Sequence, residues 1–341
     1  MRNSRSYLHR PLSLSDKNVS ESLSGKVIAI LREQSYTVTH SKKNEQLSEV
    51  NKMKNQNFGV EIELTGITRK RAANVIANYF GTVSHYERGG YDAYTATDHK
   101  GRVWKVMRDS SINTEGRGGE YSSEVVTPIL QYEDISDLQE ILRQLRRAGA
   151  KANSSCGIHI HVGAEKHTDK TLRNLVNIMA SKQDIIYKAL QINPNRASTY
   201  CKKLETNIIE KFNSQKPDTK DKIADIWYSG YGGSRNSHYN GSRYHGLNLH
   251  AVFTKGTVEF RLFNSTTHAG KLKAYIQFCL AVNHQALTQR SASPKVTVSG
   301  NERYTFRTWL LRLGLIGDEF KTARQHLLAN LDGDIAWRYS A

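Results

Sequence analysis

The chain has 341 residues, 38% of them hydrophobic and 24% charged, enough for a large buried core in one big domain or two. No apolar run approaches the roughly 18 residues of a membrane span, and Met1-Arg2-Asn3-Ser4-Arg5 leads into no signal-peptide core, so a cytoplasmic protein is expected. Cys156, Cys201 and Cys279 form no CxxC pair, which argues against a disulfide framework or a cysteine zinc site. The formal net charge of +17 fits nucleic-acid binding, a basic site for ATP and acidic substrates, or a lysine-rich surface. It is spread along the chain without one concentrated stripe.

Taken in order, residues 1–24 are rich in Ser, Asn and Arg and read as a mobile tail. Residues 26–31 read as a short helix or strand, and residues 41–57 as a polar linker. The expected division is a polar, partly disordered segment over 1–57, a catalytic domain over 58–290, and a linker with C-terminal helices over 291–341. Residues 58–64 alternate as a strand. Residues 68–80 read as a helix capped by Thr68 and ended by Gly81. Residues 103–107 form a strand that runs into Asp109-Ser110-Ser111-Ile112 and a Gly-rich loop. Residues 120–126 form another strand, with Glu120, Ser122 and Glu124 on one face. Ser136-Asp137-Leu138-Gln139 predicts a capping box, and residues 169–192 a long amphipathic helix broken at Asn193-Pro194-Asn195. The Gly-, Tyr- and Arg-rich stretch 230–246 reads as a mobile loop whose backbone and arginines meet phosphates, the alternative being a plain surface loop. Residues 247–253 and 257–263 predict a hairpin around Lys255-Gly256. Helices are expected over 270–287, 305–315 and 320–331.

Three of these strands share one device. In a strand, alternate side chains point to opposite faces. Phe58, Val60, Ile62 and Leu64 fall on one face, and Glu61 and Glu63 on the other, roughly 7 Å apart. Ile158, Ile160 and Val162 back His159 and His161. Val258, Phe260 and Leu262 back Glu259 and Arg261, with Phe263 out of step. If the three lie in one sheet, its front gathers acids, imidazoles and a guanidinium, a set suited to polyvalent metal and phosphate. There is no GxxxxGK[ST] and no HExxH, so a P-loop and the common zinc-protease helix are not expected. Zinc held by His159, His161 and a carboxylate would make a hydrolase. The carboxylate-rich remainder favours Mg²⁺ or Mn²⁺, and Arg261 beside Glu259 suits phosphoryl transfer. A basic nucleic-acid-binding protein is the non-enzyme alternative.

Phe58-Gly59-Val60-Glu61-Ile62-Glu63, Asp109-Ser110-Ser111-Ile112, Glu124-Val125-Val126-Thr127-Pro128, Cys156-Gly157-Ile158-His159-Ile160-His161-Val162 and Val258-Glu259-Phe260-Arg261 resemble, in order, the signature blocks of the amidoligases. These are carboxylate–amine ligases related to glutamine synthetase and glutamate–cysteine ligase. The resemblance implies an α+β fold, a curved and mostly antiparallel sheet backed by helices, open to ATP and to Mg²⁺ or Mn²⁺. It implies an acyl phosphate made from ATP and a carboxylate and then attacked by an amine; the basic charge suggests an acidic carboxylate donor, an acidic peptide or glutamyl compound. Carried over, Glu61, Glu63, Glu124, His159 and Glu259 would ligate metal. His161 and Arg261 would contact ATP phosphates, and Arg243, then Arg196, would be further phosphate contacts. Ser122 stands where the family pattern has Gly, with an additional acid at Glu120, so the choice between Glu120 and Glu124 as ligand stays open.

Overall fold

The computed structural model describes residues 44–45, 47–297 and 300–336; the element expected at residues 26–31 lies outside them. The chain divides into two units, Met1–Asn51 and Lys52–Ala341. In the first, the described residues are helical. The linker expected over 41–57 is corrected, because residues 47–54 are helical. Within the second unit, Met53 and Gln56 are buried, and the Gln56 amide donates to the Leu280 carbonyl and accepts from Asn283. Gln56 thus bonds to the interior instead of to water.

The second unit is built on an eight-stranded sheet of order β2-β3-β4-β5-β1-β6-β8-β7. The strands are β1 (Phe58–Leu64), β2 (His85–Glu87), β3 (Ala93–Thr97), β4 (Val103–Met107), β5 (Ser123–Val126), β6 (Gly157–Gly163), β7 (Leu247–Asn248) and β8 (Thr257–Asn264). Every ladder is antiparallel, so the fold is α+β as expected. β1 is interior, flanked by β5 and β6. Its alternation decides which way the sheet faces: Phe58, Val60, Ile62 and Leu64 are all buried, each contributing about 1.5–3 kcal/mol.

Helices cover that apolar face. α1 (Arg69–Phe80) lies behind β3 and β4, with Thr68 and Gly81 capping it as the sequence predicts. α2 (Ile135–Arg147) and α3 (Asp169–Ala189) flank α8 (Ala269–Thr288), which packs on β6. α8 is buried along most of its length, as expected for a helix enclosed by other elements. α9 (Glu302–Arg312) and α10 (Lys321–Leu328) close the chain. Phe306 and Trp309 of α9 meet the Phe278 ring of α8, and α10 packs along α8.

Four further expectations are corrected. The strand at 120–126 starts only at Ser123, because Gly119–Tyr121 is a 3₁₀ turn. The capping pair ahead of α2 is Gln131 with Asp134, where Asp134 also binds Arg102 and Lys100; Ser136 instead donates to the Glu133 carbonyl. The hairpin at 247–263 keeps its β7–β8 pairing, but α7 (His250–Thr254) occupies what was read as strand. The helix expected to reach residue 192 stops at Ala189. Beyond it lie α4 (Pro194–Thr199), α5 (Thr206–Gln215) and α6 (Lys220–Tyr228), which the sequence reading did not anticipate.

The misfit of Phe263 has a geometric cause. Ile158 pairs with Phe263 and Ile160 with Phe260, so three steps of β8 oppose two of β6. Such a bulge shifts the parity of all that follows. Phe263 thereby returns to the apolar side, fully buried and stacked on Tyr275 of α8 at 4.4 Å. Arg196 fixes the distortion, donating through Nη1 to the Phe263 carbonyl (2.7 Å) and through Nη2 to the Arg261 carbonyl (3.3 Å). Phe263→Ala should therefore cost a core-like 3–5 kcal/mol or so in urea unfolding. A loss under about 0.5 kcal/mol, typical of surface sites, would contradict the bulged register.

Candidate functional site

Cross-strand pairing assembles the front face. Glu63 stands opposite Glu124, Glu61 opposite His159, and His161 opposite Glu259. Paired residues share a face, so strands β5, β1, β6 and β8 bring together Glu61, Glu63, Glu124, His159, His161, Glu259 and Arg261. His159 Nδ1 lies 2.9 Å from Glu61 Oε2, and its Nε2 3.5 Å from Glu63 Oε1. His161 Nδ1 meets Thr257 Oγ1 at 2.9 Å. Glu259 accepts from Arg261 Nη1 at 2.5 Å and from Asn248 Nδ2 at 2.7 Å. Lys255 Nζ donates to Glu61 Oε1 at 3.2 Å, and the Gly157 N–H donates to Glu63 Oε2 at 2.5 Å. A Cβ on Gly157 would lie 2.1 Å from Arg196 Nη2 and would displace that guanidinium.

The carboxylates divide into two electrostatic classes. Burial opposes charge on Glu61 and on Glu259. At Glu61, His161, His159 and Lys255 outweigh it and hold the carboxyl well below its usual range. At Glu259, Arg261 and His161 do the same. Glu63 and Glu124 go the other way. Burial and the Asp109 charge push Glu63 up to about 7. Burial, Glu61, Glu63 and Asp109 push Glu124 well above the ordinary value. Burial and the Arg261 charge lower His159 to about 4, leaving a neutral imidazole.

Three adjoining triads could each hold a cation: Glu61, His161 and Glu259; Glu61, Glu124 and His159; and Glu63, Asp109 and Glu124. Within each, the donor atoms lie within 4.8 Å of one another. The donor set fits Mg²⁺ or Mn²⁺, being mostly carboxylate oxygen with neutral imidazole. Among the described residues, His161 Nε2 is buried without a hydrogen-bond partner, although it lies 3.3 Å from Glu61 Oε1. An imidazole nitrogen in that position suits a cation shared with Glu61 and Glu259.

All five residues expected as metal ligands thus meet on this face. Glu124 belongs to it, whereas Glu120 sits on the exposed 3₁₀ turn. Sequence reasoning assigned no role to Asp109, which joins the third triad; its Asp-Ser-Ser-Ile block was the available signal. Ser122 explains that placement. Its hydroxyl donates to the Asp109 carbonyl at 2.5 Å and lies 3.2 Å from the Asp109 N–H as acceptor. Asn248 and Lys255 were also not assigned, since they reach the face from β7 and from the turn before β8.

Two cavities adjoin the face. The first, about 330 Å³, is walled by Phe58, Val60, Pro128 and Ile129, with Glu61, His161 and Lys255 also on its surface. The second, about 370 Å³, is polar. Glu63, Asp109 and His159 line it together with Arg196, Arg243 and Arg261.

The raised Glu63 gives a signed pH dependence. Its carboxyl, which ordinarily ionises near 4.5, is pushed up to about 7 in the fold. Without metal, stability should fall as pH rises from about 4.5 to about 7, by up to about 1.4 kcal/mol per unit of displacement. Glu63→Gln should flatten that fall. Divalent metal must displace these protons, so Mn²⁺ affinity measured by calorimetry should rise across the same range with net proton release. Affinity independent of pH, with no proton released, would contradict the assignment.

No curated protein matches the chain. Among solved structures, it is similar to that of a bifunctional glutathione synthetase from Pasteurella multocida. Identity is 12%, the TM-score is 0.35, and the match covers 83% of this chain and 48% of that one, so this chain spans about half the length of that protein. A family model described as "Putative amidoligase enzyme" matches residues 54–283, a span that begins just before β1, ends within α8 and contains every residue of the carboxylate–histidine face. The chain belongs to this amidoligase family.

Proposed function

We propose that this chain is a carboxylate–amine ligase that uses ATP and Mg²⁺ or Mn²⁺ and acts through an acyl phosphate. The observation that carries the reading is the row of three donor triads between an apolar and a polar cavity. The apolar cavity suits the base of ATP, with its phosphates turned toward His161 and Lys255. The polar cavity suits the carboxylate donor, and its three arginines favour an acidic one, such as an acidic peptide or glutamyl compound.

The chemistry follows from what each substrate lacks. A carboxylate is a poor electrophile. Its oxygen attacks the γ-phosphorus of ATP, the bond to the bridging oxygen breaks, and ADP departs. The amine nitrogen then attacks the acyl carbon, the C–O bond breaks toward phosphate, and the amine loses a proton. The products are amide, ADP and phosphate. Divalent cations held by Glu61, Glu63, Glu124, His159 and Glu259 would neutralise charge that develops on the phosphates. Arg261 would contact ATP phosphates and Arg243 the transferred phosphoryl group, while His161, expected from the resemblance as a phosphate contact, would complete the triad with Glu61 and Glu259. Arg196, with two backbone carbonyls as partners, fits better as the support beneath Arg261.

The test is ADP release and hydroxamate formation with Mg-ATP, hydroxylamine and a panel of carboxylates. Glu124→Gln resembles the protonated carboxyl already favoured there, so its melting temperature without metal should match or exceed that of the wild type. Its ADP release should fall about 10²-fold or more. Tightly bound zinc without ADP release from any donor would favour a hydrolase on His159 and His161. Affinity for nucleic acid that falls steeply with salt and survives Glu124→Gln would favour the binding protein.

A further inference from the structure

Asp109 differs from the other triad members in its setting. Those all sit on strands, whereas Asp109 lies on the loop that follows β4. Its backbone is gripped from two sides. The N–H of Arg108, the residue before it, donates to the Tyr91 carbonyl at 2.9 Å. On the other side the Ser122 hydroxyl bonds both the Asp109 N–H and the Asp109 carbonyl.

Both grips converge on Arg69, the first residue of α1, which is 3% exposed. Its Nε donates to the Asp92 carbonyl at 2.9 Å, and its Nη2 pairs with the Asp92 carboxylate. Its Nη1 donates to the Gly119 and Ser122 carbonyls, each at 2.7 Å. Asp92 directly follows Tyr91 and has φ 43°, a backbone state that a non-glycine residue adopts at some cost. A guanidinium is a rigid planar fork of N–H donors, and a buried charge is costly unless it is paired and hydrogen-bonded. Here the pairing ties together the turn before β3, the 3₁₀ turn Gly119–Tyr121 and the approach to β5.

We infer that Arg69 is a positioning residue for the cation site of Glu63, Asp109 and Glu124. It holds Asp109 through Asp92 and Tyr91 on one side and through Ser122 on the other. The inference rests on reading the acidic face as a cation site. Among the described residues, no hydrogen bond of Arg69 goes to a triad member, so it acts only through the residues that grip the loop. The other two triads consist of strand residues alone, fixed by the sheet ladders. Loss of Arg69 should therefore act on one cation and spare the others. Removing such a support for a ligand typically costs about 10–100-fold in metal affinity.

The experiment is Mn²⁺ titration of the full chain, followed by paramagnetic resonance, with melting temperature measured in parallel. Asp109→Asn identifies the ion concerned. Arg69→Met should weaken that ion about 10–100-fold and leave the remaining Mn²⁺ at wild-type affinity. The double variant should lose no more than Asp109→Asn alone, because both changes act on one site. Ser122→Ala should show the same selective loss to a smaller degree. Arg69→Lys keeps the charge without the fork and should show it too, which serves if Arg69→Met does not fold. A lowered melting temperature with every Mn²⁺ bound as in wild type would make Arg69 structural only and overturn the inference. Equal weakening of all the ions would overturn it as well. Wild type that binds no Mn²⁺ removes the cation site and the inference together, whereas Mn²⁺ binding that is indifferent to Arg69 removes the inference alone.

Discussion

The structure depends on carboxylates forced together away from water. Glu61, Glu63 and Glu124 meet on neighbouring strands, with Asp109 beside them and Glu259 two strands away. Burial penalises each charge and their mutual repulsion adds to the penalty. The fold meets this cost unevenly. Cationic partners keep Glu61 and Glu259 ionised, whereas at Glu63 and Glu124 burial and neighbouring acids outweigh the arginines and favour the protonated carboxyl. A face that is half protonated at neutral pH is poised to exchange protons for divalent cations, and that exchange would stabilise the fold by mass action.

Much of the surrounding architecture serves to hold that face in place. The apolar side of β6 packs against α8 and that of β1 is buried, so neither strand can slip its register by one residue without turning its own front-face residues inward. The bulge in β8 permits Arg261 and Phe263 to face opposite ways within three residues. Arg196 pins the bulge, and the bare Cα of Gly157 makes room for Arg196. Ser122 holds Asp109, and Asn248 holds Glu259. These supports come from loops and short elements, so the site's precision rests on contacts distant in sequence.

That division explains what was legible in the sequence. Strict alternation in 58–64 and 157–163 exposed the two faces of the central strands, because a period of two is a local property. Taking those strands as neighbours gave a front of acids, imidazoles and a guanidinium, and the resemblance to the amidoligases supplied the ligand set with Glu124. The bulge was visible only as the misplaced Phe263, since its cause is a pairing mismatch with β6. α7 and the start of β5 were misread because β-branched and aromatic residues there mimic strand composition, whereas tertiary contacts decide the backbone. Asp109 gave no periodic signal at all; it acquires its meaning from Ser122, which holds it across the intervening loop.

The central claim is that the acidic face holds more than one cation at once when nucleotide is present. The most direct measurement is the stoichiometry of Mn²⁺ bound per chain, by paramagnetic resonance, with a non-hydrolysable ATP analogue, for wild type and Glu61→Gln. The account predicts at least two ions per wild-type chain and a clear loss in Glu61→Gln, because Glu61 belongs to two of the three triads. One ion or none, unaffected by nucleotide or by Glu61→Gln, would contradict it.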